Sequence, residues 1–167
     1  MPETMPVRII ITGGTFDKRY NELKGELTFE GTHLPDILRQ VRCTVPTELE
    51  IDQLVDSLEM LDSSRQGILE ACRDAEESRV IITHGTDTMV ETATVLGQAK
   101  LPKTVVLTGA MIPHAIHGSD AVFNLGCALG GVQCLPHGVY VVMNGRIFTW
   151  DNVRKNRGLG VFQESGG

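Results

Sequence analysis

The chain has 167 residues, 41% of them hydrophobic and 22% charged, with a formal net charge of −6. Such proportions are ordinary for a globular protein, and the length suits one domain, residues 1–167, that buries about two thirds of its unfolded surface. There is no block of Lys and Arg to attract nucleic acid and no run of about 20 apolar residues to cross a bilayer, so neither is expected as a partner.

Residues Met1 to Pro6 carry no cluster of positive charge, and a glycine pair breaks the apolar run that follows, so no export signal is read. Val7 to Thr12 then reads as a buried strand ended by Gly13-Gly14. Leu34, Ile37, Leu38 and Val41 follow a helical stripe, with Pro35 tolerated in the first turn. Leu49 to Leu61 is two-sided: Leu49 and Ile51 alternate, whereas Leu54, Leu58 and Leu61 have helical spacing. Strand is expected for at least its last part. Ile68, Cys72 and Ala75 mark a helix after Asp62-Ser63-Ser64, and Arg79 to Thr83 forms the next strand.

That strand leads into Thr88-x-x-Glu91, a capping-box pattern, with Met89, Ala93 and Leu96 on one helical face. Thr104 to Thr108 is another buried strand. Ser119 or Asp120 can cap a long helix carrying Val122, Leu125, Leu129 and Val132, and Val139 to Met143 completes the set. Strands alternating with helices predict an α/β domain in three layers, its mainly parallel sheet covered on both faces. Ligands bind such sheets beyond the carboxyl ends of the strands, where the strand order reverses. In a flavodoxin-like order with Leu49–Leu61 as the second strand, that point receives the loops after Thr12 and Thr83.

Those two loops are the most unusual in the chain. Thr12-Gly13-Gly14-Thr15 lets a ligand approach main-chain N–H groups, and His84-Gly85-Thr86-Asp87-Thr88 runs from a strand end into a helix. Each puts a hydroxyl at a strand end, and a hydroxyl becomes a nucleophile only when a base removes its proton. Taken singly, each loop reads more readily as a turn or a cap than as a site. Neither is a P-loop, and no full GxGxxG is present.

Taken together, the segments resemble the L-asparaginase family. Thr12 to Thr15 is similar to its TGGT motif and His84 to Thr88 to its HGTDT motif. Asp62-Ser63-Ser64 resembles its substrate-carboxylate segment, Thr108 to Pro113 its TGAMRP strand end with Ile112 in place of Arg, and Ser119 to Leu125 its SADGPFNL stretch. Val142 to Gly145 and Asn152 to Lys155 resemble the region that supplies its active-site lysine. The likeness runs from about Val7 to Phe162 and implies a fold like the amino-terminal domain of an L-asparaginase.

The resemblance implies an amidohydrolase that converts L-asparagine to L-aspartate and ammonia through an acyl-threonine. Thr15 is the first candidate nucleophile, with Tyr20 helping to deprotonate it and closing over the substrate. Thr86, Asp87 and Lys155 form a second cluster in which Lys155 accepts or relays a proton. Gly14, Asp62, Ser63, Ser64 and Gly85 are expected to contact the substrate, and backbone N–H groups near Thr15 or Gly85–Thr86 to stabilise the oxyanion. No metal or cofactor is implied.

The family's carboxy-terminal domain has no counterpart before Gly167, so a short form is expected, completed as a homo-oligomer, a dimer or tetramer. Cys43, Cys72, Cys127 and Cys134 form no CxxC pair and read as reduced thiols of a cytoplasmic protein. His84 is expected to brace its loop, and His114 with His117 is a weak ligand pair. Two other readings remain: an ammonia-donating subunit of a transfer-RNA amidotransferase, and a non-catalytic amino-acid-binding module. The second would not need Lys155 or a second hydroxyl.

Overall fold

A computed structural model describes residues 4–166. β1 (Val7–Gly13) is buried along its length except at Arg8. A 3-10 turn at Thr15–Asp17 leads into a small antiparallel hairpin, β2 (Lys18–Asn21) and β3 (Glu26–Phe29), which the hydrophobic pattern does not announce because none of its residues is fully buried. α1 (Leu34–Gln40) carries Pro35 in its first turn, where a missing N–H leaves no bond unmade.

β4 (Thr47–Val55) ends in a 3-10 turn at Ser57–Glu59, followed by α2 (Asp62–Asp74). The alternating half of Leu49–Leu61 is therefore the strand, and the expectation of strand in its last part is corrected. Leu58 and Leu61 are exposed, so their spacing reflects no buried face. β5 (Arg79–Thr83), α3 (Met89–Gln98), β6 (Thr104–Thr108), α4 (Ala121–Cys134) and β7 (Gly138–Met143) follow as the alternation predicts. Three short strands close the chain: β8 (Arg146–Thr149), β9 (Arg154–Asn156) and β10 (Val161–Gln163).

The main sheet has the order β4-β1-β5-β6-β7-β8. Its first five strands are parallel and β8 is antiparallel to β7. In chain order the parallel strands therefore lie second, first, third, fourth and fifth, the flavodoxin-like arrangement, with the order reversing between β1 and β5. Because side chains alternate along a strand, Ile9 and Ile11 join a core with α1 and α4 on one face, while Ile10 joins α2 and α3 on the other. Each large aliphatic side chain so enclosed contributes about 1.5–3 kcal/mol of transfer free energy.

Two local features differ from the sequence reading. Thr88 occupies the N-cap of α3, but its hydroxyl donates to the Ser57 carbonyl at 2.8 Å and caps nothing, so the capping box does not form. Asp120 occupies the N-cap of α4, yet its carboxylate accepts from the Met111 and Ile112 amides, each at 3.0 Å. Both residues are held by loop-to-loop bonds that compete with capping. The second bond fixes the loop after β6 beside the other strand ends.

Candidate active site

Three strand-end segments meet at the point where the strand order reverses, and they do so by backbone contact. Gly14 has φ 72°, in the left-handed region that favours glycine. A Cβ added there would lie 2.4 Å from the Gly85 amide nitrogen. One added at Gly85 would lie 2.4 Å from Ser57 Oγ. Gly14 also donates its N–H to the Val55 carbonyl at 2.9 Å. The loop after β1 is thus stacked on the loop after β5 backbone to backbone, and the turn after β4 meets Gly85 through the Ser57 side chain.

On this platform Thr86 is buried, and Lys155 Nζ donates to its Oγ1 at 2.7 Å and to Asp87 Oδ1 at 2.9 Å. The Lys155 side chain is 11% exposed. Its route there is set by the chain's last segment. Trp150 lies against Gly97 near the carboxyl end of α3, where even a Cβ would come within 2.2 Å of the indole. From there the chain passes the buried Val153 into β9, which pairs with β10 so that Lys155 is opposite Phe162. The Phe162 amide donates to Asn144 Oδ1 at 2.8 Å and ties this ribbon to the turn between β7 and β8.

Thr15 is half-buried, and its hydroxyl has no hydrogen-bond partner among the described residues. His84 is fully buried. A carbonyl can only accept, so the 2.7 Å contact to the Gly85 carbonyl puts the proton on Nδ1, and Nε2 accepts from Thr92 Oγ1 at 2.7 Å. Burial pushes the imidazole down to about 4, against the opposing pull of its bond to Gly85. Both ring nitrogens are engaged as the neutral form requires, which suits a loop brace.

Residues 6–162 match the family model described as Asparaginase, N-terminal. The chain belongs to the asparaginase family. It is 32% identical to an L-asparaginase of Bacillus licheniformis over 162 residues, covering 89% of this chain and 49% of that protein. It is 34% identical over 149 residues to a glutamyl-tRNA(Gln) amidotransferase subunit of Archaeoglobus fulgidus, covering 79% of this chain and 34% of the relative. Among solved structures, the thermostable L-asparaginase of Thermococcus kodakarensis superimposes with a TM-score of 0.82 at 30% identity, over 96% of this chain and 51% of that one. A probable cytoplasmic L-asparaginase of Campylobacter jejuni superimposes with a TM-score of 0.84 at 28% identity, over 97% and 53% of the two chains. The chain spans about half the length of the L-asparaginases it matches.

Within this asparaginase-family fold the expected site residues divide. Thr86, Asp87 and Lys155 are in mutual contact, and Gly14 and Gly85 bring the Thr15 loop against them. Tyr20 does not join them. It sits in β2 opposite Leu27, 61% exposed, and its phenol makes no hydrogen bond among the described residues. Asp62, Ser63 and Ser64 form the first turn of α2, where Asp62 pairs with Arg65 and the Ser64 carbonyl accepts from Gln53. The serine against the His84–Thr88 loop is Ser57, whose Oγ accepts from the Thr88 amide at 3.3 Å. β4 ends at Val55, so Asp56-Ser57 is what emerges beside Gly14, whereas Asp62–Ser64 are already helical.

Two neighbours flank these residues: Asp56, which sequence reasoning missed, and Arg157, which the sequence places with Arg154 in a small basic cluster beside Lys155. Asp56 is held by Lys18, a charge pair that anchors the β2–β3 hairpin to the turn bearing Ser57 and keeps the Asp56 carboxyl below the usual range. Arg157 donates to Asp87 Oδ1 at 2.6 Å and to the Asp87 carbonyl at 3.2 Å. The strand-end rule applied to β4 could have found Ser57; no sequence signal singles out Arg157 from Arg154 beside it. His114 packs its ring 5.1 Å from that of His33. Among the described residues no group of three or more His, Cys, Asp or Glu side chains is placed to hold a metal ion, and no helix is long and apolar enough to cross a membrane.

Proposed function

We propose that this chain is an amidohydrolase that releases ammonia from the side-chain amide of L-asparagine, leaving L-aspartate, through an acyl-threonine intermediate. The observation that carries the reading is the Thr86–Lys155–Asp87 chain of hydrogen bonds, 2.7 and 2.9 Å long, mounted beside the Thr15 loop. Thr15 Oγ1, with no hydrogen-bond partner among the described residues, can turn toward a substrate carbon. The Thr86–Lys155 contact is a path along which a proton can pass between hydroxyl and amine, while Asp87 holds that amine in line. Backbone N–H groups of Thr15 and of Gly85–Thr86 lie in rigid loops where they can meet the developing oxyanion without reorganising. Ser57 takes the substrate-carboxylate role first assigned to Ser63, and Tyr20 acts from the hairpin as it closes over the substrate.

The reading is of one catalytic domain working as a cytoplasmic homo-oligomer. Tyr20, Leu23 and Leu27 are exposed apolar side chains on the hairpin beside the Thr15 loop, a surface that a second copy would cover. Light scattering that returned the mass of a single chain would remove this part of the proposal. The likeness to an amidotransferase component supports a second reading, in which the same chemistry delivers ammonia to a partner enzyme.

The deciding experiment is ammonia release from L-asparagine by the purified chain, beside Thr15→Ala and Thr86→Ala. Release by the wild type and its loss in both variants is expected. No release at tens of millimolar substrate would overturn the hydrolase reading, and release only with an added partner would favour the second.

A further inference from the structure

His84 engages both ring nitrogens, and the second is held by a threonine on α3. Nδ1 stands 2.7 Å from the Gly85 carbonyl and Nε2 2.7 Å from Thr92 Oγ1. His84 and Thr92 are both fully buried. Burial keeps the ring neutral, so it carries a single N–H proton. The carbonyl can only accept, which puts that proton on Nδ1 and leaves the Thr92 hydroxyl to donate to Nε2. Its other polar neighbour, Met60 Sδ, is a weak acceptor 3.8 Å away. Thr94 shows what a threonine inside a helix ordinarily does: its hydroxyl donates to the Val90 carbonyl one turn back, at 2.8 Å. Thr92 donates to the imidazole instead.

The Gly85–Thr86 peptide is trans and planar, so its C=O and N–H point in opposite directions. With the carbonyl turned to the imidazole, the Thr86 N–H points away from it. That N–H has no hydrogen-bond partner among the described residues, although Thr86 is buried. Amides of buried residues are nearly always bonded, so an open donor beside the Thr15 loop suits a ligand atom.

We propose that Thr92 is a positioning residue for hydrolysis: by donating to His84 Nε2 it fixes the ring, and through the ring the Gly85 carbonyl, so that the Thr86 N–H is aimed at the oxyanion formed on the substrate. The inference rests on the amidohydrolase reading and deepens it. Thr92 acts only through His84 and makes or breaks no bond. Without its hydroxyl, Nε2 is left bare in a closed site, the proton can sit on either ring nitrogen, and the Gly85 carbonyl loses its constant donor.

Losing an oxyanion donor outright costs about 10²–10³-fold in kcat, so loosening one is expected to cost about tenfold. The test measures ammonia release from L-asparagine by the wild type, Thr92→Val, Thr92→Ser and Thr94→Val, together with nitrogen NMR spectra of the imidazoles. The His84 signals are assigned by their loss in His84→Asn. Wild-type His84 should carry its proton on Nδ1 at neutral pH. Thr92→Val should mix the two tautomers and lower kcat about tenfold, with KM changed by less than about twofold, because the donor meets charge that exists only in the transition state. Thr92→Ser, which keeps the hydroxyl, should recover most of the loss. Thr94→Val, which removes a hydroxyl from the same helix, should change neither constant. A structural role alone would lower the melting temperature and leave the tautomer where it was.

A wild-type ring protonated at Nε2, or a Thr92→Val protein with the wild-type kcat, would overturn the inference while leaving the amidohydrolase reading intact. If the wild type releases no ammonia, that reading falls, and the spectra decide whether Thr92 positions the loop. Mixed tautomers and a displaced Thr86 amide signal in Thr92→Val, both restored in Thr92→Ser, support it; unchanged signals overturn it. Should Thr92→Val not fold, Thr92→Ala is read against the same outcomes.

Discussion

Gly85 is the residue on which the stacked loops depend most directly, because a methyl group there would overlap Ser57 at both Oγ and Cβ. Gly85→Ala is expected to cost about 1–3 kcal/mol, the usual range for overpacking a closed site. The double variant Gly85→Ala with Ser57→Gly should regain most of that loss in thermal melts, since the overlapping atoms are then gone. A Gly85→Ala protein melting with the wild type would mean that the loops do not approach so closely in solution. Lys155 gives a chemical counterpart. Lys155→Met should lower ammonia release by about 10²–10⁴-fold, the contribution of a positioned acid or base, at little change in fold. Lys155→Arg should not rescue it, because a guanidinium stays protonated and cannot accept from Thr86. Substantial activity in either variant would remove Lys155 from the proton path.

At the scale of elements, the proposed function has a ligand's carboxylate read at the carboxyl end of β4. Ser57→Ala should raise KM about tenfold, the effect of losing one hydrogen bond to a charged group, whereas Ser63→Ala should leave it unchanged. The reverse result would return the carboxylate site to α2. The alternation of Leu49 and Ile51 made β4 legible. Its end was hidden because the Leu54-to-Leu61 spacing imitates a helix although Leu58 and Leu61 are exposed, and exposure cannot be seen in a spacing. The other four parallel strands, β1, β5, β6 and β7, were legible for the opposite reason: each is a largely buried apolar run bounded by glycine or a polar turn. The β2–β3 hairpin and the β9–β10 ribbon were not, since their strands are three or four residues long and almost none of their residues is fully buried. The ribbon is also why the Lys155–Thr86 contact was beyond simple strand order. It depends on Trp150 finding the bare surface of Gly97, an encounter between residues far apart in sequence.

For the whole molecule, the packing that joins the loops also ties stability to pH. His84 sits where β5 turns toward α3, neutral and enclosed, with burial holding its imidazole at about 4 against an ordinary 6.5. Burial also lowers His33 and His114. Between those values the unfolded chain binds more protons than the folded one, so stability rises with pH. The contribution of His84 is complete above pH 6.5 and is lost as pH falls through about 4. Its full size is about 3 kcal/mol, from the free energy of one pKa unit. Asp17 works the other way. Burial raises its carboxyl, so its contribution is present in acid and fades as pH rises through the folded value. Three depressed imidazoles against one raised carboxyl leave a net fall in stability on acidification. The melting temperature should therefore decline steadily from pH 7 to pH 4.5, and His84→Asn, whatever its own cost in stability, should flatten that slope. A slope unchanged by the substitution would mean that His84 titrates freely in the folded protein, and that the loop carrying Thr86 and Asp87 is open to water.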